Sequence, residues 1–139
     1  MKRILALDIG TERIGLAITD ELGLIAQPLT VIKRKNDAQA LQEIKKIIKQ
    51  QKVKKIVVGM PYDAQGKIGT MGKKVMAFAE KLKAIIDVPL IFWDESFTTT
   101  EAETVLLKAD LSRRHRKKVV DKLAAALILE SFLKAIHEK

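Results

Sequence analysis

The sequence predicts an α/β fold: a mixed five-stranded sheet, an antiparallel β-meander followed by parallel strands, flanked by helices. Three observations predict it. Apolar runs separated by tight turns fill the chain up to Lys33. From Asn36 onward, short apolar runs alternate with stretches of helical period, the order that builds parallel strands with right-handed crossovers. The chain has 139 residues, 47% hydrophobic and 31% charged, which suits one domain over 1–139 with a core of its own.

The elements follow in order. Lys2 to Asp8 reads as a strand that ends on an acid, and Arg13 to Thr19 as a second strand after the turn Asp8-Ile-Gly-Thr-Glu-Arg13. Leu24 to Lys33 is a third strand, and Pro28 inside it predicts an edge or a bulge, because proline cannot donate to a ladder. Asn36 or Asp37 caps a helix in which Leu41, Ile44 and Ile48 share a face. Lys54 to Gly59 is a short buried strand, and Met60-Pro61 opens a loop through Gly66, Gly69 and Gly72. Val75, Ala79, Leu82 and Ile86 mark a second helix, and Leu90 to Trp93 a fifth strand ending at Asp94-Glu95. Thr98 or Thr99 caps a third helix with Ala102, Val105, Leu106 and Ala109 on its buried side. The basic run from Ser112 to Lys118 reads as a loop, and the last helix as Lys118 to Ile136.

Composition narrows the chemistry. With no cysteine, a disulfide framework, a cysteine-ligated zinc site and a thiol nucleophile are excluded. Two histidines, His115 and His137, are far apart in the sequence and leave little for a histidine-based catalytic site. The longest early apolar run, Ile4 to Leu7, is too short for a signal peptide or a membrane span, so the expectation is a cytoplasmic protein with no membrane partner. Lys and Arg number 26 against 17 Asp and Glu, a net charge of +9 that attracts polyanions. Basic residues concentrate between Lys33 and Lys55 and again between Arg113 and Lys118. A solvated face explains either run equally simply.

Three carboxylates stand in costly places. Asp8 and Glu95 each follow an apolar strand at its carboxyl end, where ligands of parallel sheets gather. Asp121 is followed at helical spacing by Ala124, Ala125, Ile128 and Phe132, all apolar, so it lies on the core-facing stripe of the last helix. An acid there needs a cation, a hydrogen-bond partner or a proton. Divalent metal shared by all three answers that need, and magnesium favours a few carboxylates plus water and phosphate oxygens. The alternative is three unrelated residues: Asp8 paired with Arg13, Asp121 with a lysine, Glu95 at the surface. The Asp-Ile-Gly-Thr turn also suits a phosphate-binding loop of actin-like ATPases, but this chain is too short for their two lobes.

Four segments carry a resemblance. Asp8-Ile-Gly-Thr-Glu-Arg-Ile-Gly-Leu-Ala-Ile-Thr-Asp20, Val57-Val-Gly-Met-Pro61, Trp93-Asp-Glu-Ser-Phe-Thr-Thr99 and Val120-Asp-Lys-Leu-Ala-Ala-Ala-Leu-Ile-Leu129 resemble the YqgF/RuvX family, in the family's order and along essentially the whole chain. The resemblance implies an RNase H-like fold and a nuclease that trims the 5′ end of the 16S rRNA precursor. It implies that Asp8, Glu95 and Asp121 are the catalytic, metal-binding acids, with two ions of Mg²⁺ or Mn²⁺. Two departures stand out. The family usually has arginine after the Asp-Glu pair, where this chain has Ser96, and Asn-x-Asp-Gly where this chain has Asp63-Ala-Gln-Gly66.

The expected roles follow from the resemblance and the placement together. Asp8 bridges two metals, while Glu95 and Asp121 each complete one shell. The glycine two residues after Asp8 gives a phosphate room. Arg13 either contacts phosphate or holds the Asp8 turn. Arg113, Arg114, Arg116, Lys117 and Lys118 contact the backbone of a nucleic acid, structured RNA or a DNA junction. Thr98 and Thr99 are helix caps, and Trp93 is a core residue. Ribosomal precursor particles are the expected partners, with the chain a monomer or homodimer. Two other classes compete: a Holliday junction resolvase, which uses the same chemistry as a symmetric dimer, and a non-catalytic nucleic-acid-binding module.

Overall fold

Alternation of apolar residues builds the sheet from its centre outward. In the computed structural model, β1 (Ile4–Ile9) pairs antiparallel with β2 (Arg13–Thr19), and β2 antiparallel with β3 (Ala26–Lys33). After α1 (Asp37–Gln50), β4 (Lys55–Met60) returns parallel to β1 on its other side. After α2 (Thr70–Lys83), β5 (Leu90–Asp94) adds parallel to β4. The final helix, α3, runs Arg113–His137. The strand order is β3-β2-β1-β4-β5, the mixed five-stranded sheet that the sequence predicts. The structure describes residues 2–95 and 113–137, with side chains of α3 described from Leu123 onward.

Successive side chains point to opposite faces, and the sequence uses both. Leu5, Leu7 and Ile9 enter one core with Ile44 and Ile48 of α1 and Phe78 and Leu82 of α2. Ile4 and Ala6 enter the other with Ala125, Ile128, Leu129 and Phe132 of α3. The second layer is rich in small residues: Ala6 and Ala17 on the sheet share a core with Ala125 and Ala126 on the helix. That brings α3 close to the strands. Trp93 packs edge-on against Phe132 at 5.3 Å between ring centres, and its indole N–H donates to Ser131 Oγ at 3.0 Å. Half-buried, it packs against this core, as expected.

Two local expectations hold in detail. Pro28 lies on the edge strand β3, and the ladder slips there: Leu16 faces Thr30 but Ala17 faces Pro28, leaving Leu29 as the bulged residue. Asn36 caps α1, its side chain accepting from the Gln39 N–H at 2.8 Å. One expectation fails. The basic run is not a loop, because α3 already begins at Arg113 and takes the run into its first turns. Arginine and lysine are strong helix formers, and their propensity outweighs the unfavourable field of cations at a helix start. The helix expected from Thr98 or Thr99 to Ala109 falls outside the described residues, as does Ser96.

Candidate functional site

Asp8 and Glu95 reach the same point from different strands. Asp8 shares the sheet face of Ile4 and Ala6, the face covered by α3. Glu95 follows Ile91 and Trp93 on that face, and its backbone N–H extends the ladder by donating to Met60 O at 3.3 Å. Strand β4 lies between them. Adjacent strands are about 4.8 Å apart, so the two carboxylates must meet above β4. Gly59 makes that meeting possible. A Cβ there would come within 2.5 Å of both Glu95 Oε2 and Ile128 Cδ1. Asp8 also faces Gly15 across the β1–β2 ladder, so glycines flank it on both neighbouring strands.

The two carboxyl groups interact directly, side chain with side chain. The Glu95 carboxyl is pushed up to about 8, first by burial, then by the negative charge of Asp8 and their shared hydrogen bond, and last by the charge of Asp94. Burial and the neighbouring negative charges therefore favour a proton on the pair. Two half-buried acids so placed are a set of oxygen donors whose mutual repulsion a divalent cation would relieve. By donor chemistry the pair fits such an ion.

We expect Gly59→Ala to separate site function from stability. Its clashing atoms are the carboxylate of Glu95, which can swing away, and the buried Ile128 side chain, which must give slightly, so the fold should lose about 1–2 kcal/mol. Glu95, however, must swing away from Asp8. Urea unfolding should shift slightly, while Mn²⁺ affinity measured by electron paramagnetic resonance should fall at least severalfold.

The turn that carries Asp8 is fastened by a residue that sequence reasoning counted only among basic residues. Arg34 donates from its backbone N–H to Glu12 O at 2.8 Å and from Nη1 to Gly10 O at 2.7 Å. Its Nε and Nη2 hold Asp37 Oδ1 at 3.1 and 2.9 Å, and the guanidinium lies 5.0 Å above the Phe78 ring centre. Lys81 of α2 joins Asp37 at 3.4 Å, so both helices are tied to the Asp8 turn. Arg34 holds the Asp37 carboxyl below its ordinary range. Gly10 itself closes the turn: its N–H donates to Arg13 O at 2.8 Å, and a Cβ would meet that same oxygen at 2.7 Å. The tight turn is by itself a sufficient reason for glycine there. Arg34→Met should cost about 2–3 kcal/mol in urea unfolding, since it strands the Asp37 charge and the Gly10 carbonyl. Arg34→Lys should recover only part, because an ammonium cannot keep the planar fork.

Of the expected site residues, Asp8 and Glu95 are thus brought together. Asp121 is in α3 by its backbone, one turn before Ala124 and Ala125, both buried against the sheet; its side chain lies outside the described set. Among the described residues no cluster of three or more acids or histidines forms. Arg13 starts β2 and lines a cavity of about 300 Å³ with Thr11, Lys33, Arg34 and Lys35 beside the Asp8 turn. Arg113, Arg114, Arg116, Lys117 and Lys118 occupy the first turns of α3. Gly59 and Arg34 are the residues the sequence reading missed. The glycine inside the apolar run Val57-Val-Gly-Met was the available signal for the first. Arg34 had none, because its partner across the turn is remote in sequence.

A sheet of order β3-β2-β1-β4-β5 with an acid on the central strand and another just past β5 defines an RNase H-like α/β protein. The chain belongs to the YqgF/RuvX family: the family model for RuvX, Holliday junction resolvase, matches residues 2–135. A relative from Desulforudis audaxviator, named "Putative pre-16S rRNA nuclease", is 50% identical over 131 residues, 94% of this chain and 93% of its own length. One of the same name from Thermoanaerobacter pseudethanolicus is 49% identical over 138 residues, 99% of each chain. Among solved structures, T. thermophilus RuvC in complex with Holliday junction substrate superposes with a TM-score of 0.60 at 15% identity, covering 96% of both chains. That likeness is one of fold. No helix among the described residues is long and apolar enough to cross a membrane.

Proposed function

We propose that this chain is a metal-dependent nuclease that hydrolyses phosphodiester bonds and processes the 5′ end of pre-16S rRNA. The observation that carries the reading is the meeting of Asp8 and Glu95 over Gly59, two half-buried acids brought together from separate strands. The names of the nearly full-length relatives support the RNA substrate. Asp8 is the central ligand, Glu95 and Asp121 complete the set, and two ions of Mg²⁺ or Mn²⁺ are the cofactors. When bound, such ions activate a water and stabilise the leaving oxygen. The chain's own residues hold the acids together and oriented. The Gly10 turn and the Arg34 clamp fix Asp8, and the ladder bond from Glu95 to Met60 fixes the second acid. Arg13, beside the turn, contacts phosphate.

The basic start of α3 provides the backbone contacts. Replacing Arg113, Arg114, Arg116, Lys117 and Lys118 by glutamine should flatten the slope of log affinity against log salt by roughly 0.7–0.9 for each phosphate that is no longer neutralised. An unchanged slope would place the nucleic acid elsewhere.

The family model's own description favours a second reading, a Holliday junction resolvase acting as a symmetric dimer. One assay tests both. Purified protein is offered precursor 16S rRNA and a DNA four-way junction, with Mn²⁺, Mg²⁺ or chelator. Metal-dependent loss of the RNA precursor segment alone supports rRNA processing, and paired cuts in the junction support the resolvase. Tight binding with no cut in either makes the chain a binding module and overturns the catalytic reading.

A further inference from the structure

The opposite end of the sheet carries a second charged feature. At the amino ends of β4 and β5, a cavity of about 360 Å³ is rimmed by Lys45, Lys49, Lys52 and Lys54. Its floor is aliphatic, from Ile48, Ile85, Ile86 and Val88, and Asp87 is the one acid in its lining. Lys54 on its rim is six residues from Met60, about 20 Å of strand, so the cavity is distinct from the Asp8–Glu95 site. Among the described residues, none of the four lysines makes an ion pair.

The backbone makes the arrangement more telling. α1 ends in a Schellman motif: the Val53 N–H donates to Ile48 O at 3.0 Å and the Lys52 N–H to Lys49 O at 3.4 Å. The residue that turns left-handed in this motif is usually glycine. Here it is Lys52, at φ 55°. A side chain in that conformation is strained, so the helix end carries a lysine where glycine would be easier. Attraction between cations and the helix carboxyl end accounts for Lys49 and Lys52 in part. It does not account for Lys54, which comes after the turn and adds a fourth positive charge to the same rim.

We propose that this cavity binds the phosphates of a nucleotide, with the base or sugar against the aliphatic floor. Its size is at the lower end of small-ligand pockets, enough for one nucleotide unit. Four lysines against one aspartate leave a net charge of +3, which matches a diphosphate or several consecutive backbone phosphates better than one phosphodiester. The same chemistry has two sources, a free nucleoside diphosphate or a strand of RNA that runs on from the acid site.

The test uses the full chain in chelator, so that no metal-bound nucleotide forms at Asp8 and Glu95. ADP, inorganic pyrophosphate and a short single-stranded RNA are titrated separately by calorimetry. The variants are Lys49→Glu with Lys52→Glu, and, as an equal charge change elsewhere, Lys73→Glu with Lys74→Glu on the exposed side of α2. ADP binding that falls at least tenfold in the first variant and not in the second supports the site and a free nucleotide. RNA binding that depends on the first pair alone, with ADP silent, supports the site and a strand. Pyrophosphate binding as tightly as ADP overturns the part played by the aliphatic floor. Equal losses in both variants, or no loss in the first, overturn the site. Lys52→Gly guards against misfolding as an explanation: it should raise the melting temperature by relieving the left-handed lysine, yet weaken ADP or RNA severalfold. None of these readouts depends on cleavage, so the nuclease reading and this one can fail separately.

Discussion

Asp8→Asn should abolish metal-dependent cleavage, lowering the single-turnover rate by about 10³-fold or more, roughly 4 kcal/mol of transition-state stabilisation. The affinity for RNA in chelator should hardly change. The reason is positional. Asp8 is on the strand bonded on both sides, antiparallel to β2 and parallel to β4, and its carboxyl is against Glu95. An amide there keeps the shape and loses one of the two negative charges that a divalent ion would bridge. Single-turnover kinetics with precursor RNA and Mn²⁺, beside filter binding in chelator, separates the two quantities. Wild-type cleavage by the variant would remove the acid pair from the mechanism.

The second large effect concerns pH and the protein without metal. In the folded state the Glu95 carboxyl titrates at about 8, against 4.5 in its unperturbed state. Between those values the folded chain binds more protons than the unfolded one, so stability falls as pH rises from about 4.5 to about 8. The site is partly open to solvent and so partly screened, and we expect a loss on the order of 2 kcal/mol, or roughly 8 °C in melting temperature. Asp8→Asn should flatten this dependence and melt higher than wild type at pH 8. A divalent ion should restore the wild type at pH 8, because it replaces the lost proton. The trend has the opposite sign at acid pH, where the carboxyls of Asp37 and Asp20, both held below their ordinary range, lose their partners on protonation. Melting curves from pH 3 to pH 9, with and without Mn²⁺, follow both limbs. A flat profile between pH 5 and pH 8 would mean that the pair does not share a proton.

Much of the sheet was legible because its cues are local. Pro28 predicts an edge and lies on one, and Asn36 predicts a cap and makes the bond. Strand alternation at Leu5, Ala6 and Leu7 assigns residues to two cores without knowledge of their partners. Asp8 and Glu95 were legible as acids at the ends of apolar strands, where an unpaired charge is expensive. What the sequence hid depends on distance along the chain. Arg34 meets Gly10 across 24 positions, and no pattern around Arg34 announces it. Gly59 matters only because Glu95 and Ile128 both come to rest above it. The start of α3 was misplaced for a different reason. A block of like charges suggests a solvated loop, but the same residues have high helix propensity, and propensity wins once the helix is anchored by Ala125, Ile128 and Leu129.

The two halves of the acid pair are unequally anchored. β1 has neighbours on both sides, whereas β5 closes the sheet and Glu95 hangs from it by the last rung of a ladder. Releasing Asp8 requires opening the centre of the molecule, an event close to global unfolding. Fraying the end of one border strand is enough to release Glu95. Amide exchange at Ala6 and Leu7 is therefore tied to the stability of the whole domain, while the amide of Glu95 reports a smaller, separate opening. The chain holds one acid as a fixture and the other as a latch.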